Sequence, residues 1–103
     1  MKLSIENIYK QLSTVMDPET GLDLVSMGLF YKIEIQEGII MIRMTLTSPG
    51  CPLVEVFDSM MREVLSVFEG IDPQRDINID LTFDPPWTPD MMSEEARAEL
   101  GMD

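Results

Sequence analysis

Two runs of strict alternation, parted by a short turn, constrain this chain most. Leu29, Tyr31, Ile33 and Ile35 alternate with Phe30, Lys32, Glu34 and Gln36, and Ile40, Ile42, Met44 and Leu46 alternate with Met41, Arg43, Thr45 and Thr47. A period of two sends each set to one face of a strand. The intervening Glu37-Gly38 is short enough to join the strands as an antiparallel hairpin. A hairpin with one apolar face needs a cover, and two helical patterns supply it. Ile5, Ile8, Tyr9, Leu12, Val15 and Met16 recur at three- and four-residue spacing behind Ser4, predicting a helix over 4–16 that stops where Pro18 follows Asp17. Leu53, Val54, Phe57, Met60, Met61, Val64, Leu65 and Phe68 define a second helix, with Pro52 in its first turn and Gly70 as its stop.

Ile77, Ile79, Leu81 and Phe83 alternate with Asn78, Asp80, Thr82 and Asp84, which predicts a third strand ended by Pro85-Pro86. The tail from Trp87 to Leu100 accommodates a short acidic helix capped by Thr88 or Ser93. The expected fold is therefore α+β: a two-layer α-β-β-α-β domain over residues 1–103, with a three-stranded mixed sheet, helices on one face and a short C-terminal helix. A right-handed crossover between residues 47 and 77 makes strands two and three parallel. Whether strand three lies beside strand one or strand two is left open by the pattern.

Charge and composition remove whole classes of function. Seven Lys plus Arg against nineteen Asp plus Glu give a net charge of −12, which repels phosphate backbones and anionic membranes, so neither nucleic acid nor a membrane is an expected partner. Histidine is absent, which eliminates Ser-His-Asp and Cys-His catalysis and every imidazole metal site. A single cysteine, Cys51, excludes an intramolecular disulfide and fits a reducing compartment, with the cytoplasm as the expected location. No apolar run approaches a membrane span.

The candidate chemistry collects in loops. Thr47-Ser48-Pro49-Gly50-Cys51-Pro52 runs from a strand's carboxyl end to a helix N-terminus, where unpaired N–H groups and the helix dipole favour a thiolate at Cys51. Thr47 and Ser48 add hydroxyls, and Gly50 permits close approach of a ligand to the backbone. The bland alternative is a small buried cysteine beside an ordinary turn. Asp17 and Glu19 flank the end of the first helix, and Asp84 ends the third strand. Parallel strands two and three would bring Asp84 and the Cys51 loop to one rim, although Asp17 and Asp84 also suit simple capping before proline. Trp87, the only tryptophan, and Met91-Met92 read either as an anchor for a partner or as a flap folded over the sheet edge.

Four stretches together make the sequence recognisable: Asp17-Pro18-Glu19 with Gly21; Met27-Gly28-Leu29; Met44-Thr45-Leu46-Thr47-Ser48-Pro49-Gly50-Cys51-Pro52; and Asp84-Pro85-Pro86-Trp87-Thr88-Pro89-Asp90-Met91-Met92-Ser93. Their order and spacing closely resemble the SufT/PaaD-like family of metal-sulfur cluster biosynthetic proteins, over nearly the whole chain. That resemblance implies an iron-sulfur cluster assembly type of domain, acting as an accessory in cluster maturation or transfer to apoproteins. It implies Cys51 as the cluster or metal contact, with Asp17, Glu19, Thr47, Ser48, Gly50 and Asp84 around it. Ser48 stands where many relatives carry a second threonine, a change that keeps the hydroxyl.

Ligand counting shapes this expectation. Ordinary clusters are held by four cysteine thiolates and this chain offers one, so a transient cluster or iron would be shared with another chain or partner. The expected partners are the assembly machinery and apo client proteins, with a homodimer as one way to pair two Cys51 thiols. The competing reading is a pure protein–protein adaptor, such as a PaaD-like subunit assisting a phenylacetate-type oxygenase, in which Trp87, Met91 and Met92 carry the contact. A small thiol or carboxylate enzyme, with Asp17 or Glu19 as base, is a third and weaker reading. The leading expectation is non-enzymatic.

Overall fold

The computed structural model describes residues 1–18, 20–47 and 54–101. Its elements run α1 (Ile5–Leu12), β1 (Phe30–Gln36), β2 (Ile39–Met44), α2 (Val54–Leu65), β3 (Ile77–Leu81), a 3-10 turn at Pro89–Met91 and α3 (Glu94–Glu99). The three strands form one mixed sheet in the order β1-β2-β3. β1 pairs antiparallel with β2, and β3 pairs parallel with β2, which settles the strand order that the pattern left open.

The hairpin turns on Glu37 and Gly38, with φ of 51° and 79°. Two left-handed residues in succession make the tight turn whose twist matches the flanking strands. Glu37 occupies a region that glycine or asparagine enters at less steric cost. Ile40, Ile42 and Met44 are buried to within 2 % on the face that meets the helices. Against them lie Ile8 and Leu12 of α1 and Phe57, Met61 and Leu65 of α2, in a core that continues through Ile33, Leu24, Leu29 and Phe68. The opposite face carries Lys32, Glu34, Arg43 and Asp80, joined by the exposed ion pairs Lys32–Glu34 and Arg43–Asp80.

The helices end earlier than apolar spacing predicts, because hydroxyl side chains take the last carbonyls. Ser4 caps α1 by accepting from the Asn7 N–H at 3.1 Å. At the other end Ser13 donates to Lys10 O at 2.7 Å and Thr14 to Gln11 O at 2.6 Å, closing the helix after Leu12 rather than at Met16. Ser66 does the same at α2, donating to Glu63 O at 2.6 Å, so residues 66–69 form a turn before Gly70. The predicted start of that helix at Pro52 lies outside the described residues. In the tail Ser93 caps α3 by accepting from the Ala96 N–H, whereas Thr88 makes no side-chain cap and precedes only the 3-10 turn.

Candidate functional site

The parallel pairing of β2 and β3 is what builds a rim. Met44 lies opposite Leu81, and the Thr82 N–H donates to Met44 O at 2.8 Å, so both strands run out at the same end of the sheet. Thr47 leaves there from β2 and Asp84 from β3; both are exposed. Asp84 is turned by its own neighbours, its N–H donating to Thr82 Oγ1 at 3.2 Å.

Asp17 lies in a segment tied to the sheet through a relay of backbone bonds. The chain folds back after α1 in a small hairpin, with Asp17 N–H donating to Leu22 O and Gly21 N–H to Asp17 O, both at 2.8 Å. Leu24 N–H then donates to Val15 O, Leu29 N–H to Leu24 O and Thr45 N–H to Leu29 O. The hairpin carrying Asp17 is thus bonded, one strand-like segment at a time, to the residue just beyond β2. Asp17 is 7 % exposed. Burial of a carboxylate demands hydrogen-bonding partners, so this acid is part of a built structure and not a solvated loop residue. Glu19, Ser48, Gly50 and Cys51 lie outside the described residues.

The Asp84–Ser93 segment is strapped back onto the body of the molecule. The Trp87 indole N–H donates to Met27 O at 2.7 Å, Tyr31 Oη donates to Pro85 O at 2.7 Å, and Ser93 N–H donates to Ser26 O at 2.8 Å. Gly28, with φ +74°, lies against the backbone of Met91, whose carbonyl occupies the space a Cβ would need. Trp87 is half-buried against the core, and Met92 is 5 % exposed with its side chain turned inward. Trp87 and Met91 are thus partly accessible, whereas Met92 is not.

Thr45 is fully buried, which alternation alone did not indicate. Period-two reading places it on the open face with Arg43. Past Met44, however, the segment from Leu29 covers the strand's end, so Met44, Thr45 and Leu46 are buried in succession. Two carboxyls elsewhere in the fold are held below their ordinary range. Glu34 is lowered by Lys32 and Gln36, and Asp76 by Arg75 and the Asp72 backbone. Among the described residues no group of three or more acidic or thiol side chains is placed to hold a metal ion.

The mixed three-stranded sheet, the rim and the strapped tail together define a small two-layer α+β domain. The family model described as "Iron-sulfur cluster assembly protein" matches residues 5–75, and the chain belongs to that family. It is 40% identical over 97 residues to the "Fe-S protein maturation auxiliary factor" of Porphyromonas gingivalis, spanning 93% of this chain and 90% of that protein. It is also 40% identical over 89 residues to the "Fe-S protein maturation auxiliary factor SufT" of Staphylococcus aureus, spanning 85% of this chain and 98% of that one. Among solved structures, a domain of unknown function from Bacillus anthracis superposes with a TM-score of 0.83 at 34% identity, covering 95% of this chain and 92% of that one.

Proposed function

We propose that the protein is an accessory factor in iron-sulfur cluster maturation, without catalytic turnover, that holds a cluster or iron briefly and passes it on. In this reading Cys51 supplies the thiolate, with Thr47, Ser48 and Gly50 as its neighbours in sequence and Asp17, Glu19 and Asp84 as candidate oxygen ligands or hydrogen-bond acceptors. The observation that carries this reading is the parallel β2–β3 pairing, which sends the Thr47 loop and Asp84 out of one end of the sheet. The relatives named above support it by name.

One thiol and no histidine per chain make lasting ownership of a cluster unfavourable, because four-thiolate coordination needs donors from elsewhere. The remaining ligands come from a second copy or from the assembly and client proteins that exchange the cargo. Trp87 and Met91, both partly accessible in the strapped segment, would face those partners.

Anaerobic reconstitution with iron and sulfide tests this, comparing the native chain with Cys51→Ser by visible absorption, bound iron and sulfide, and sedimentation. A cluster on the native chain alone, accompanied by a doubled mass, is the expected result. Equal cluster content on both chains, or none on either, removes Cys51 from the chemistry and overturns the carrier reading.

A further inference from the structure

β3 lies at the edge of the sheet, and the phase of its backbone is fixed by two bonds. Ile40 N–H donates to Asp76 O and Thr82 N–H donates to Met44 O, both at 2.8 Å. In a parallel ladder the residues between alternate, so Asn78 and Asp80 turn their backbone groups to β2 while Ile77, Ile79 and Leu81 turn theirs outward. The Ile77 carbonyl is taken by Arg62 Nη1 at 3.0 Å. The N–H and C=O of Ile79 and of Leu81 have no partner among the described residues. Natural sheets blunt such an edge with proline, with charges or with a covering element; here none of the described elements pairs with it.

Beneath this edge, between β3 and α2, lies an apolar groove of about 140 Å³ lined by Ile79, Leu81, Val54, Phe57 and Met61, with Asp58 at its margin. A cavity of about this size takes a group as large as benzene. Leu81 and Val54 on its walls remain 38 % and 37 % exposed. Side chains of Ile79 and Leu81 point to the groove while Asn78 and Asp80 stand on the open face. An added strand would share that alternation, with every second side chain entering the groove and the others standing beside Asp80.

Charge selects the occupant. Asp58 and Asp80 border the edge but are already paired with Arg62 and Arg43, so the selection comes from the net −12 of the whole chain, which attracts a basic segment and disfavours a second copy at this edge. We propose that the free edge of β3 and the groove below it dock an extended segment of a partner protein as a fourth strand, with aliphatic residues at alternate positions and Lys or Arg between them. This assignment rests on β3 and α2 alone and does not depend on what Cys51 binds.

The test uses the full chain, isotope-labelled for amide exchange, with a capped heptapeptide of alternating Lys and Val as probe and its Glu-for-Lys counterpart as control. The expected result is that the basic peptide slows exchange of the Ile79 and Leu81 amides by about tenfold or more. Leu81→Lys and, on the other wall, Val54→Ser should each weaken the effect, and added salt should weaken it further. The proposal is overturned by no protection at millimolar peptide, by equal protection from the acidic peptide, or by both variants binding unchanged. Protection of Ile79 and Leu81 without peptide, together with a doubled sedimentation mass, would assign the edge to a second copy and likewise overturn it.

Discussion

Arg62 shows how a charged residue on an apparently solvated helix face becomes structural. Its Nη1 donates to Pro73 O at 2.7 Å and to Ile77 O at 3.0 Å, while Nε donates to Asp58 at 3.0 Å, so one guanidinium fastens α2 to the segment that leads into β3. The side chain is only 17% exposed. Arg62→Ala leaves two partly buried carbonyls without donors, and the expected loss is about 2 kcal/mol, read from the urea midpoint at constant slope. Arg62→Lys recovers only part of it, since a single ammonium nitrogen cannot serve both carbonyls and Asp58 as Nη1 and Nε do together. Asp58→Ala, which removes only the exposed end of the i,i+4 pair, should cost much less. Equal losses for Arg62→Ala and Asp58→Ala would show that the ion pair, and not the carbonyl bridge, is what matters. Helical spacing in the sequence identifies which residues face away from the core. It contains nothing about where the following loop will lie, and that loop is what buries Arg62.

At the scale of elements, the hairpin and both long helices are legible because each rests on a periodicity that a packed interface enforces. The early ends of α1 and α2 are less so, since they depend on Ser13, Thr14 and Ser66 choosing backbone carbonyls over solvent. The strap over residues 84–93 has no period at all; its course follows from single contacts to Ser26, Met27 and Tyr31. Gly28 is the contact that permits the rest, because a Cβ there meets the Met91 carbonyl. Gly28→Ala is therefore expected to lift the strap while leaving the sheet intact. Trp87 emission should shift to the red, and the Ser93 amide and Trp87 indole N–H should lose exchange protection while the Ile42 amide keeps its own. Unchanged Trp87 emission and exchange would mean that the backbone yields at no cost and that Gly28 does not control the strap. The candidate site divides in the same way: the shared rim of Thr47 and Asp84 follows from parallel pairing, which the crossover rule anticipates, whereas burial of Asp17 and Thr45 depends on the short hairpin after α1 and on the Leu29 segment.

At the scale of the whole molecule the dominant quantity is charge packed into a small volume. The folded chain measures 41 × 26 × 21 Å and carries a net −12. At about 10 mM salt the Debye length is about 30 Å, so most carboxylates feel one another across the domain; at about 0.15 M it is about 8 Å and they feel only neighbours. Unfolding relieves this repulsion by separating the charges, which means that low salt penalises the folded state more than the unfolded one. Salt also weakens attraction within Lys32–Glu34, Arg43–Asp80 and Arg75–Asp76, but in each pair the cation is largely solvent-exposed and the contribution is small. Repulsion should therefore win. Raising sodium chloride from about 10 mM to about 150 mM is expected to increase the Tm by roughly 5 °C, followed by circular dichroism at fixed pH. A Tm that falls over this range would show that the local pairs outweigh the global field. The same screening should weaken docking of a basic strand at β3, so the two salt responses have opposite signs: more stable alone, less attractive to its partner. That opposition separates a partner held by charge from one held by apolar contact alone.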